Sequence, residues 1–208
     1  MKGSDRLMGF MEVLNHIKVY LKIADAEGIL RRYAVMNGFD GAMATLGIII
    51  GSMIFGDIPL GYIIHTVLGA DLAMFISGVW SVFLIERAER ARYMKRLEKA
   101  LFRRLDGSLI ERAHTVASVI VALMDGASPI LASLASITPI IVGIPLSLSR
   151  ELCLIMSLIC NLTILFILGV ILGYVSRDRL LLHGIIMLSA GLVAVAIALI
   201  VGGMQGVG

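Results

Sequence analysis

The chain has 208 residues, 59% hydrophobic, 16% charged and 6% aromatic, with 18 basic and 15 acidic residues and a formal charge of +3. Soluble domains are about 45–50% apolar and about 25% charged, so a soluble globular enzyme is excluded, and so is a disordered chain. What remains is an all-α, polytopic membrane protein with a single membrane domain.

In chain order, residues 1–36 carry charges throughout and lack the short apolar core of a cleavable signal peptide. The missing targeting segment points to the plasma membrane of a prokaryote. Within this stretch, residues 7–24 place Leu7, Phe10, Met11, Leu14, Ile17, Tyr20 and Leu21 at helical three/four spacing, with Lys18 and Lys22 elsewhere. That pattern predicts an amphipathic helix lying on the inner membrane surface.

Residues 37–208 form the membrane domain. A helix crossing the hydrocarbon needs about 20 apolar residues, and five stretches qualify: 38–56, 60–85, 113–143, 152–175 and 181–203. The third is interrupted by Pro129 and Pro139, and there Asp125-Gly126-Ala127-Ser128-Pro129 has the composition of a broken helix with freed carbonyls. Asp40-Gly41-Ala42 repeats the start of that motif in the first span, a short internal echo. Residues 86–112 are a charged helical linker in which Glu86/Arg90 and Glu89/Arg92 are spaced to pair. The plainer reading of the linker is a solvated helix that extends the second span.

Seventeen of the eighteen basic residues fall before the first span, in the 86–112 linker or in the 176–180 turn; Arg150 is the exception. Basic loops mark the cytoplasmic face. The N-terminus is therefore expected inside, the C-terminus outside and the linker cytoplasmic. Basic residues beside apolar spans give no nucleic-acid signal, so the expected surroundings are the lipid bilayer. Cys153 and Cys160 share a helix face inside an apolar run and read as packing residues. His65, His114 and His183 lie near span ends without metal-ligand spacing and read as interfacial. Gly47/Gly51 and Gly169/Gly173 are GxxxG pairs that suit close helix contact, within one chain or between two copies.

Asp40, Asp71 and Asp125 lie within the spans, and no Lys or Arg lies there to neutralise them. An ionisable group at mid-bilayer costs about 2.5–3.5 kcal/mol on insertion scales. Such groups need a cation, a proton or polar helix ends, and they mark ion paths. The bland alternatives are a helix-start charge for Asp40 and interfacial water for Asp71. Met43 follows Asp40 by three residues and Met74 follows Asp71 by three, so each thioether shares a face with a carboxylate. That pairing biases a site from calcium toward ferrous iron or manganese; its plain counterpart is methionine filling core gaps.

The segment Arg31-Arg32-Tyr33-Ala34-Val35-Met36-Asn37-Gly38-Phe39-Asp40-Gly41, running on to Gly51, resembles the opening of the vacuolar iron transporter family. Ser77-Gly78-Val79-Trp80-Ser81 through Glu86 is similar to the end of that family's second span, and the five-span layout is similar over most of 28–203. The resemblance implies a homodimer that moves ferrous iron or manganese out of the cytoplasm in exchange for protons. Asp40 then matches the first-span carboxylate and Glu86 the glutamate that closes the second span. Val82 stands where the family has a methionine, and the family's other second-span carboxylate falls on Met74, one turn from Asp71. The linker, with Glu86, Glu89, Glu98 and Glu111, is too short for the family's glutamate-rich metal-gathering domain.

The expected function is a proton-coupled transporter of a divalent transition metal, not an enzyme, with no permanently bound cofactor. Metal and protons are its substrates. Asp40, Asp71 and Asp125 would carry the ion path. Asp40, Met43, Asp71, Met74, Glu86, Glu89 and Asp125 are the candidate metal ligands. The alternatives are a non-transporting scaffold of the same fold and a metal-dependent lipid-modifying enzyme.

Overall fold

The structure is a computed structural model that describes residues 15–105 and 107–205. Among them every regular element is a helix: α1 (15–23), α2 (Glu27–Ile54), α3 (Leu60–Leu101), α4 (Leu109–Gly143), α5 (Arg150–Ser176) and α6 (Leu180–Gln205). Helices α2 to α6 are each long and apolar enough to cross a membrane. The first half of the expected amphipathic helix, with Leu7, Phe10, Met11 and Leu14, lies outside the described residues. Over 15–24 the pattern holds: Leu21 and Ala24 are buried while Lys18 and Lys22 are exposed.

Two features differ from the sequence reading, and a third follows its plainer alternative. Helix α2 starts eleven residues before the apolar run, because the charged flank continues the helix. Glu27 in the first turn suits the helix dipole, and its carboxylate lies 3.4 Å from Arg31 one turn on. The linker follows its plainer reading: residues 86–101 continue α3, whose 42 residues span roughly 63 Å, about twice the hydrocarbon thickness. Last, Pro129 and Pro139 do not break the third span; both sit inside an unbroken α4. Each proline lacks an N–H, which deprives the carbonyl four residues earlier of its helical partner. For Pro139 that carbonyl is Ala135 O, and the Cys160 thiol of α5 donates to it at 3.3 Å. Tertiary packing thus absorbs the defect instead of opening a break.

The described residues divide into two compact units. The basic unit holds 15–31 and 78–125, and the apolar unit holds 32–77 and 126–205.

In lipid, burying Leu or Ile against protein gains little hydrophobic energy, so helices associate through close packing and small residues. The apolar unit is built that way. One core joins Ile49, Ile63, Val67, Ile137, Ile140, Cys153 and Leu154, and a second joins Ala42, Leu46, Ile50, Ala132 and Leu165. At Gly41 a Cβ would overlap the Pro129 backbone, so only glycine lets α2 and α4 approach here. Gly169 meets the His183–Gly184 backbone and Gly173 meets Leu180 in the same manner, so this GxxxG pair serves the α5–α6 hairpin of one chain. At Gly47 and Gly51, by contrast, a Cβ would meet nothing.

Helix α5 is closed at both ends by local chemistry. Ser149 is its N-cap, with its hydroxyl accepting from Leu152 N, and Arg177 turns left-handed at φ 54° to end it. Arg150, the basic residue set apart in the charge pattern, caps the end of α2 instead. Its guanidinium donates to Ser52 O at 2.5 Å, to Ile58 O at 3.0 Å and to Gly56 O. A cation at the end of α2 meets the carbonyls that the helix leaves unbonded.

Candidate functional site

The polar residues of the apolar unit's interior lie mainly on α4 and α5. Ser133 and Ser136 are one turn apart on α4, and Asn161 faces them from α5. Ser136 Oγ donates to Ala132 O at 2.8 Å, which leaves it free to accept from Asn161 Nδ2 at 2.9 Å. The same amide nitrogen donates to Ala42 O of α2 at 2.9 Å. Asn161 therefore ties three helices together.

Asp71, on α3, is 2% exposed, and its Oδ2 accepts from the Ser133 hydroxyl. Ser133 and Ser136, three residues apart on one helix, lie about 5–6 Å from each other at Cβ. The hydrogen-bonded groups thus form one polar seam running from Asp71 to Ala42. Among the described residues, three oxygens in this interior are buried with no hydrogen-bond partner: Asp71 Oδ1, Asn161 Oδ1 and Ser157 Oγ. All three are acceptors or acceptor-capable, and all are hard oxygen ligands.

The other expected site residues are distributed differently. Asp40 belongs to the same unit but is exposed. Met43 packs, half-buried, against the Ala42–Leu46–Leu165 core, which is the gap-filling role of methionine. Met74 is half-buried one turn after Asp71. Asp125 is buried at 5% exposure and already has an interaction partner. Among the described residues, no three His, Cys, Asp or Glu side chains gather closely enough to hold a metal ion.

Glu86 and Glu89 lie in the basic unit. Glu89 is exposed, whereas Glu86 is 4% exposed and sits 3.0 Å from Arg90 Nη2. That pair fulfils the i,i+4 spacing, but as a buried bond rather than a solvated one. Arg90 is itself 8% exposed, and its Nη1 donates to Ala24 O at the end of α1 at 3.2 Å. The same nitrogen lies 3.2 Å from His114 Nδ1. A guanidinium cannot accept, so Nδ1 is the unprotonated nitrogen of His114. His114 is 7% exposed and stacks at a tilt on Tyr93, with centroids 5.2 Å apart. The interfacial reading of this histidine is thus replaced by a buried one.

Sequence reasoning missed Ser133, Asn161 and the Arg90–His114 contact. A signal for Asn161 was present, since it is the one carboxamide in an otherwise apolar span, and polar side chains in spans bond across helices. Ser133 and Ser136 gave none, because serine is common at helix contacts in membranes.

Among known proteins, the chain is similar to Uncharacterized protein MJ0645 of Methanocaldococcus jannaschii. The two are 31% identical over 169 residues, which covers 80% of this chain and 84% of that protein. No family model matches the chain. No solved structure matches it.

Proposed function

Since this chain belongs to the family of Uncharacterized protein MJ0645 from Methanocaldococcus jannaschii, a name that assigns no activity, we propose a function from the site: proton-coupled transport of a divalent metal cation across the membrane. Asp71 is the exchanging group. The observation that carries this reading is the state of its carboxylate, 2% exposed, held on one oxygen by Ser133 and with no partner on the other among the described residues.

A charge taken out of water must be paired, coordinated or neutralised. With no basic side chain among the described residues in hydrogen-bond or ion-pair contact, Asp71 holds either a proton or a cation, and one displaces the other. The unpartnered oxygens of Asn161 and Ser157 on α5, in the same unit, are further candidate ligands. The resemblance of the Arg31–Gly51 segment to the vacuolar iron transporters supplies the cargo, ferrous iron or manganese. The charge pattern supplies the direction of insertion, with the basic ends of the helices in the cytoplasm.

A membrane scaffold without transport is the second reading. The lack of a three-ligand metal cluster among the described residues favours it.

Reconstitution into liposomes separates the two. Manganese or ferrous uptake driven by an imposed pH gradient is expected, falling by about 100-fold or more in Asp71→Asn, a loss of roughly 2.7 kcal/mol of transition-state stabilisation. Asp40→Asn and Asp125→Asn are measured alongside. Metal flux that is absent in the wild type removes the transport reading, and flux unaltered by Asp71→Asn in a folded protein removes Asp71 as the exchanging group.

A further inference from the structure

The basic unit contains a second polar feature, which the transport reading leaves unused. A cavity of about 500 Å³ opens beside the Arg90–His114 contact, where α3 continues past its apolar span. Its lining includes the basic residues Arg87, Arg90 and Lys95 and the apolar residues Phe83, Met94 and Leu105.

Its acidic residues do not answer those cations. Glu98 Oε1 accepts from Leu105 N at 2.9 Å, and Glu111 Oε2 accepts from Gly107 N at 2.6 Å. Both carboxylates hold the turn between α3 and α4. Arg87 and Lys95 are exposed and line the cavity. Arg90 is nine-tenths buried, and its Nε has no hydrogen-bond partner among the described residues. Its Nη2 lies near Glu86 but is not aligned for a hydrogen bond. A buried guanidinium N–H without an acceptor costs about 1–3 kcal/mol, more when charged, unless something fills the place.

The surrounding field has the same sign as the orphaned donor. Residues 86–112 carry nine basic and five acidic residues. A ligand that answers an orphaned arginine donor, two more cations and neighbouring apolar side chains is an anion with several acceptor oxygens next to an apolar body. Phosphate oxygens match a guanidinium in geometry and charge, and basic pockets next to membrane spans are recurrent sites for lipid headgroups.

We propose that this cavity binds a phosphate group through Arg87, Arg90 and Lys95. The same chemistry has two sources, an anionic phospholipid headgroup and free phosphate, and the two are separable by experiment.

The test uses the purified full-length chain and the double variant Arg87→Gln/Lys95→Gln. Both residues are exposed, so the variant is expected to keep the wild-type helix content and melting temperature. Inorganic phosphate is titrated calorimetrically, and retention of phosphatidylglycerol against phosphatidylcholine is read by native mass spectrometry. Binding of at least one probe is expected, weakened by about tenfold or more in the double variant, which is about 1.4 kcal/mol. Phe83→Ala assigns the source: it lowers retention of phosphatidylglycerol if the ligand is lipid and leaves phosphate titration unaltered. The proposal is overturned if the wild type binds neither probe, or if the double variant binds both as the wild type does. Neither readout involves metal flux, so the result is independent of transport.

Discussion

Glu86 and Asp71 are both acids 4% exposed or less on helix α3, yet they are held in opposite ways. Glu86, in the basic unit, has a guanidinium at 3.0 Å, and that guanidinium is in turn anchored on Ala24 O and His114. Asp71, in the apolar unit, has a single hydroxyl. A buried acid with a cation beside it is architecture, because removing either partner strands the other. A buried acid without one has to be neutralised some other way, by a proton or a bound cation. The contrast teaches that burial alone does not say how a carboxylate is neutralised; the identity of its neighbour does.

Stability measurements break or sharpen that contrast. The largest effect is expected where a buried pair is cut. Arg90→Ala leaves Glu86 buried and unpaired and also releases the end of α1, so a loss of about 3–5 kcal/mol is expected in thermal or denaturant unfolding. Glu86→Gln combined with Arg90→Gln should recover much of it, since no lone charge then remains. A single Arg90→Ala that costs under about 1 kcal/mol would dissolve the distinction between the two acids.

Arg150→Ala comes next. Three carbonyls lose a charged donor, but the side chain is only partly buried, so about 2 kcal/mol is the expected loss. An unaltered melting temperature would show that water replaces the guanidinium fully.

Asp71→Asn is smaller, and its sign is informative. Removing a carboxylate that has no cation should leave stability within about 1 kcal/mol of the wild type, or raise it. A loss as large as that of Arg90→Ala would mean that Asp71 belongs to a structural pair and not to an exchange site. Cys160→Ala is expected to have the smallest effect, about 0.5 kcal/mol, because a thiol is a weak donor to the Ala135 carbonyl. Loss of helical signal in that variant would show that the Pro139 defect needs its cap.

The membrane architecture was legible in residues that act through composition. Five apolar runs gave five helices, and the i,i+4 spacing of Glu86 and Arg90 gave a real contact. Boundaries were less legible, because hydropathy marks where a helix meets lipid and not where its hydrogen bonds end; α3 runs sixteen residues past the apolar span for that reason. The site was legible only as a set of candidates. Asp40, Asp71 and Asp125 look alike in sequence, yet one is exposed, one is buried on a serine and one is buried with a partner already in place.

What the sequence determined by itself is the solvent this chain is built for, since transfer energies add up along each segment without regard to neighbours. Which acid stands without a cation was decided only by packing. Ser133, Asn161, Arg90 and His114 reach their partners across 24 to 119 residues of chain, and electrostatic pairing depends on distance in space.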